Sequence, residues 1–176
     1  ALLSAIGIII PLYSPIKIVI EPASFTFASH VPIFIAMFIS PAAAVFTSIV
    51  TAFGFFINYT PIIGFRALSH VVFALTGAYI LKMRNNILLS LKKSIPFVLV
   101  LSLIHAVCEL IVSTIFYFSD QTSVNYVYNV VLLVGAGTFI HSSIDFIMAA
   151  AIWAPVQKVI NVPTNAKIRY RSSKIH

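Results

Sequence analysis

Acidic side chains are nearly missing from this sequence. Asp and Glu together number 4 in 176 residues, and charged residues of all kinds make up 9%. A soluble domain carries about 25%. With 60% hydrophobic residues and a mean hydropathy of +1.05, a soluble fold of this length could not hide its apolar surface. Cysteine occurs once, at Cys108, which excludes an internal disulfide and any zinc or redox cysteine motif. Inside its apolar run Cys108 reads as an inert buried thiol. There is no phosphate-binding glycine loop, so the chain does not hydrolyse ATP itself. No nucleophile with an adjacent base stands out, and the sequence does not read as an enzyme. No cofactor motif, repeat or pair of inverted halves is visible.

What is present is a set of long apolar runs separated by basic clusters. Nine of the 11 Lys and Arg fall in three groups: Lys82, Arg84, Lys92 and Lys93; Lys158; and Lys167, Arg169, Arg171 and Lys174. Residues 1–176 therefore read as one integral membrane domain, all-α and polytopic. The net charge of +7 does not point to nucleic acid, because the basic residues flank apolar segments instead of lining a groove with stacking aromatics.

Six transmembrane helices are expected. Helix one is the end of a span over 1–12, closed by Pro11 and Pro15. Ala1–Leu12 is shorter than the roughly 20 residues a span needs, so this helix is expected to begin before Ala1. The mixed segment 13–29 reads as an ordered loop, with Lys17–Glu21 able to extend. Helix two covers 30–40, short enough to lie deep in the bundle, and helix three covers 41–57, with Ser40-Pro41 as a tight turn. Helix four covers 62–83, and 87–93 could form an interfacial helix. Helix five covers 94–118, and Asp120–Ser123 is a polar turn. Helix six covers 138–159 after a break at Gly135-Ala136-Gly137. Irregular backbone at membrane depth must face protein or a cavity, which makes 135–138 a candidate ligand contact. Residues 161–176 read as a basic cytoplasmic tail. With the N-terminus inside, nine basic residues lie in the cytoplasm and Lys17 outside, as the positive-inside rule expects of a cell-membrane protein.

The ionisable residues within the spans are costly there, and each is a candidate functional group. Arg66 and His70, His105 and Glu109, and His141 and Asp145 are each four residues apart, so each pair shares one helix face. Glu109 lies about 13 Å from the outer end of helix five, and the other two pairs lie in the outer turns of their helices. Three such faces can surround an outward-opening polar cavity that holds a small polar molecule. The competing reading is a set of structural clasps, such as Arg66 with Asp145, and satisfied packing histidines at His70 and His105. Buried ion pairs add little net stability, so clasps alone are weak reason to accept the insertion cost. Asn129 on the outer side is a further candidate donor. His30 reads as interfacial packing, Tyr126 and Tyr128 as interface anchors, and Phe25 or Phe27 as an aromatic lid.

The run Glu21–Pro41, the stretches Ser29-His-Val-Pro32, Arg66-Ala-Leu-Ser-His70 and Thr138–Asp145, and the Ala1–Ala5 start resemble the substrate-binding S components of energy-coupling factor (ECF) vitamin transporters. The likeness covers nearly the whole chain and is greatest to the niacin-specific type, with the tryptophan type a near alternative. It implies the S-component fold and capture of a vitamin from outside, between the outer ends of helices four, five and six. It also implies association with a membrane coupling subunit and two ATPases, followed by toppling in the bilayer. The family's small-residue contact with the coupling subunit maps onto Ala1 and Ala5, a spacing that lets helices approach closely in lipid. Arg66 suits the carboxylate of nicotinate. Asp145, Glu109 or a neighbouring His could face its ring nitrogen. The competing functions are a metal-ion carrier using His105, Glu109, His141 and Asp145, and an intramembrane enzyme. A vitamin binder is expected to hold no metal.

Overall fold

The computed structural model describes residues 1–20, 23–117, 123–159 and 163–168. The turn expected at 120–122 and the tail beyond 168 lie outside the described residues. Helix α1 covers Leu2–Tyr13 and leads into an antiparallel hairpin, β1 (Lys17–Ile20) and β2 (Ala23–Thr26), with Lys17 opposite Thr26 and Ile20 opposite Ala23. Next come α2 (Val31–Ile39), α3 (Pro41–Asn58), α4 (Pro61–Met83), a 3-10 turn at Ile87–Leu89 and α5 (Leu91–Tyr117). A one-turn α6 (Ser123–Tyr126) continues through a π-helical segment, Val127–Ala136, into α7 (Gly137–Val156). The hairpin modifies the all-α expectation. Its β-branched Ile18, Val19 and Ile20 favour the extended backbone that the sequence allowed there.

Four of these helices are long and apolar enough to cross a membrane: Pro41–Asn58, Pro61–Met83, Leu91–Tyr117 and Val127–Val156. The expected count of six is not reached on length, because α1 has 12 residues and α2 has 9. Helix α2 is short because it ends inside the bundle. Its terminal carbonyls at Phe38 and Ile39 accept from the Asn165 and Ala166 N–H groups at 3.0–3.3 Å. Segment 163–168 is thus not a free tail. Ala166 is fully buried, and its carbonyl accepts from Trp153 Nε1. Backbone outside a helix is tolerated at such depth when protein covers it and satisfies it. After α2, extended Ser40 turns the chain, its hydroxyl caps Ala43 N–H, and Pro41 starts α3.

Helix α5 shows how the bundle is sided. Leu101, His105, Glu109 and Ser113 are buried, while Leu99, Leu103, Val107, Ile111 and Ile115 are exposed at the same four-residue spacing. The second stripe suits lipid, and the first carries the polar groups inward. At the end away from the hairpin the interior is solid and aromatic. Phe146 meets Phe34, Phe38 and Phe97 at centroid distances of 5.2–5.9 Å, and Phe38 meets Trp153 at 6.0 Å.

Three further local expectations are corrected. Pro11 lies inside α1 instead of closing it, near enough to the end that only the Gly7 carbonyl loses an intrahelical donor. Residues 87–93 are not one interfacial helix, because Ser90 is extended and Lys92 and Lys93 open α5. Gly135–Gly137 is not a break: the π-helical segment absorbs the extra residue, Gly137 N–H donates to Leu132 O, and Gly137 has helical φ and ψ. These glycines serve close approach, since a Cβ on Gly137 would lie 2.5 Å from Phe25 Cζ of the hairpin.

Helices α1 and α3 meet through a reciprocal pair of glycines. A Cβ on Gly7 would lie 2.6 Å from Thr51 Oγ1, and one on Gly54 would lie 2.5 Å from Ile8 Cγ1. Small residues allow such approach in lipid, where packing holds helices together. Gly7→Ala is expected to lower stability by about 1–3 kcal/mol through overpacking, read as a lower thermal midpoint in detergent. An unchanged midpoint would show that α1 is not held against α3 in this way.

Candidate functional site

The polar groups cluster at the hairpin end of the bundle, around two carboxylates. Glu109 on α5 is the first centre. Its Oε2 accepts from Arg66 Nε at 3.1 Å, from Arg66 Nη2 at 2.5 Å and from Thr138 Oγ1 at 2.8 Å. Its Oε1 lies 3.2 Å from His70 Nε2 and 3.4 Å from His105 Nε2. One carboxylate thus ties α4, α5 and α7 together.

Asp145 on α7 is the second centre and is fully buried. Oδ1 accepts from Ala28 N–H at 3.1 Å, and Oδ2 accepts from His30 N–H at 2.9 Å and His30 Nδ1 at 3.0 Å. His141 Nε2 lies 3.3 Å from the same oxygen and 3.2 Å from Ser29 Oγ. To present its N–H, Ala28 adopts a left-handed conformation with φ of 66°, costly for a residue with a Cβ. The hydrogen bonds to Asp145 hold the segment after the hairpin onto α7 and offset that cost.

His30 stands between the two centres. Its ring lies 4.7 Å from that of His70, 4.6 Å from His105 and 5.0 Å from His141, edge to face in each case. Above the cluster is a cavity of about 360 Å³, lined in part by His30, Arg66, His70, Glu109, Thr138 and His141. Its walls include Ser24, Phe25 and Thr26 of the hairpin and Tyr59 and Thr60 of the α3–α4 turn. Small-molecule sites fall in this size range, about 300–1,000 Å³, with a few placed polar groups in a largely apolar wall.

The structure brings six of the sequence-predicted residues, Arg66, His70, His105, Glu109, His141 and Asp145, into one cluster. His105 and Asp145 stand behind the cavity wall and orient other groups. Asn129 does not line the cavity and is half-buried on the π-helical segment. Arg66 pairs with Glu109, not with Asp145. His30 is buried at the centre of the cluster instead of packing at an interface. Sequence gave little sign of this, since His30 has no ionisable partner four residues away. Phe25 lines the cavity and its ring lies 5.4 Å from His141, whereas Phe27 is exposed. Ala1 and Ala5 lie one turn apart at the start of α1, both exposed, while Ser4, Gly7 and Pro11 face inward. The proposed metal set of His105, Glu109, His141 and Asp145 does not form one group. Among the described residues, ligand atoms converge instead as His30, His70, His105 and Glu109, and as His30, His141 and Asp145.

Breaking a buried ion pair leaves a lone charge, a loss of about 3–5 kcal/mol, whereas replacing both partners by apolar groups is often near neutral. Glu109→Ala is therefore expected to lower the thermal midpoint in detergent strongly, and the double change Arg66→Met with Glu109→Met to recover most of it. A double variant as unstable as Glu109→Ala would mean that the ion pair is not what the fold needs there.

Over 165 residues the chain is 36% identical to the niacin transporter NiaX of Lactococcus lactis subsp. cremoris (strain MG1363), an alignment that covers 92% of this chain and 74% of that protein. No family model and no solved structure matches it. With that identity over nearly its whole length, the chain belongs to the family of that transporter, the S components of ECF transporters, and is a multi-pass membrane protein.

Proposed function

We propose that this chain is the substrate-binding subunit of an ECF-type importer and captures niacin, as nicotinate or nicotinamide, from the extracellular side. The observation that carries this reading is the cavity at the hairpin end, with Arg66, Glu109, His70 and His141 in its wall and a packed aromatic core beneath it. A pyridine ring with one carboxyl or carboxamide substituent needs an apolar slot with polar groups at two ends. The guanidinium of Arg66 suits the carboxylate, because its planar fork makes charge-assisted, two-pronged contacts. On arrival the ligand shares that guanidinium with Glu109. Imidazoles and carboxylates of the cluster provide donors and acceptors for the ring nitrogen. Phe25 covers the ring from the hairpin.

The distribution of Lys and Arg supports a cytoplasmic C-terminus and a hairpin end that faces outside. With no phosphate-binding loop in the chain, energy for uptake comes from partner subunits. A membrane coupling protein docks against the exposed Ala1 and Ala5 of α1, two ATPases drive the cycle, and toppling of the bundle exposes the cavity to the cytoplasm. Bound niacin is released unchanged, so no catalytic residue is needed.

Titration calorimetry of the purified chain is expected to show stoichiometric heat with nicotinate or nicotinamide; no heat with either would reject niacin. Arg66→Lys keeps the charge and loses the fork. It is expected to weaken nicotinate binding by about 10-fold or more, the scale of one charged hydrogen bond, and unchanged affinity would remove Arg66 from the site. Changing Ala1 and Ala5 together to Leu is expected to spare binding and impair uptake by the assembled transporter. Loss of binding in that variant would contradict the assignment of α1 to coupling.

A further inference from the structure

We infer that His30, His70, His105 and Glu109 form a site for one divalent transition-metal ion of the zinc class at the floor of the cavity. The first support is convergence. Each residue offers one ligand atom, and the four atoms lie within 4.8 Å of one another. A tetrahedral zinc ion with bonds near 2.1 Å holds its ligand atoms about 3.4 Å apart. Small rotations of the rings therefore close the site, with no movement of the helices.

The second support is that His30, His105 and Glu109 already have the outer partners a metal site needs. A ligating imidazole usually donates its other N–H to a carboxylate or other acceptor, which fixes the ring. His30 has Nδ1 at 3.0 Å from Asp145 Oδ2, so Nε2 is left for the centre. His105 has Nδ1 at 3.1 Å from Ser142 Oγ, again leaving Nε2. Arg66 and Thr138 hold Glu109 through Oε2, and Oε1 turns to the histidines.

The third support is unmet polarity. His105 Nε2, in a fully buried ring, lies 3.4 Å from Glu109 Oε1 without a hydrogen bond to it, and His70 Nδ1, in a residue 6% exposed, also lacks a hydrogen-bond partner. A buried polar atom left without a partner costs about 1–3 kcal/mol. Glu109 Oε1 faces both His70 and His105, and the ring of His30 packs edge to face against theirs. It is the arrangement that a metal would satisfy.

Ligand chemistry selects the ion class. Three nitrogens and one carboxylate oxygen suit zinc and its neighbours, whereas magnesium and calcium favour oxygen alone. The grouping of His30, His141 and Asp145 is not a second site: it shares His30, and Asp145 already holds the Nδ1 of that ring. The metal site departs from the expectation that a vitamin binder is metal-free. It does not depend on niacin being the ligand, because metal and nicotinate are measured separately.

The test is elemental analysis of the full chain purified in detergent without chelator, then titration of the stripped protein with Zn²⁺ and Co²⁺. About one ion per chain is expected, with Co²⁺ giving the intense visible bands of a tetrahedral site. His105→Gln is expected to lose the ion. Asp145→Asn, which reaches the proposed centre through the His30 ring, is expected to weaken Zn²⁺ binding by about 10–100-fold. A protein that is isolated without metal and takes up neither ion overturns the inference. So does a Co²⁺ spectrum of octahedral type, which decides the matter even if His105→Gln fails to fold. A metal-free protein that still binds nicotinate would end the metal inference and leave the niacin reading standing.

Discussion

Two carboxylates buried in a membrane bundle dictate most of what surrounds them. A lone charge in hydrocarbon is not tolerated, so Glu109 and Asp145 each gather donors from several elements. Glu109 collects Arg66, His70, His105 and Thr138. Asp145 collects two backbone N–H groups and two imidazoles. The first set joins α4, α5 and α7. The second fixes the segment that follows the hairpin. Removing either centre would leave groups from other helices without a partner, so the site and the fold share the same contacts.

The molecule is accordingly divided along its length. The hairpin end is polar inside and contains a cavity, while the far end is filled with interlocking aromatic rings and closed by the returning segment at Ala166. Among the described residues, Phe34, Phe38, Phe97, Phe146 and Trp153 pack against one another in the far half. Passage of a solute through the chain itself would require the aromatic half to part, whereas movement of the whole bundle would leave that packing intact. The division fits the proposed capture of a small solute at the hairpin end.

The helix boundaries were largely legible in the sequence because prolines and polar turns mark them: α3 begins at Pro41 as expected, and α4 begins at Pro61, one residue before the expected start. The paired faces were legible too, since four-residue spacing places Arg66 with His70 and His105 with Glu109 whatever the tertiary fold. Less was legible where neighbours decide. The shortness of α2 was expected, but the N–H groups that close its end come from residues 165 and 166, more than 120 positions away. The glycines of the π-helical segment looked like a break because composition does not distinguish a flexible point from a point of contact with Phe25. The hairpin was seen only as a stretch that could extend, since strand pairing needs a partner that local pattern does not specify.

Sequence by itself determined the class of the molecule and which helix faces had to avoid lipid, because the cost of burying charge depends on residue type and helical spacing alone. It did not determine which charges meet. The choice of Glu109 over Asp145 for Arg66, the central place of His30 and the exclusion of Asn129 from the cavity wall follow from how the helices are rotated and how deep each one sits. Those are properties of packing between distant segments, where many weak contacts decide together, and only the tertiary structure expresses them.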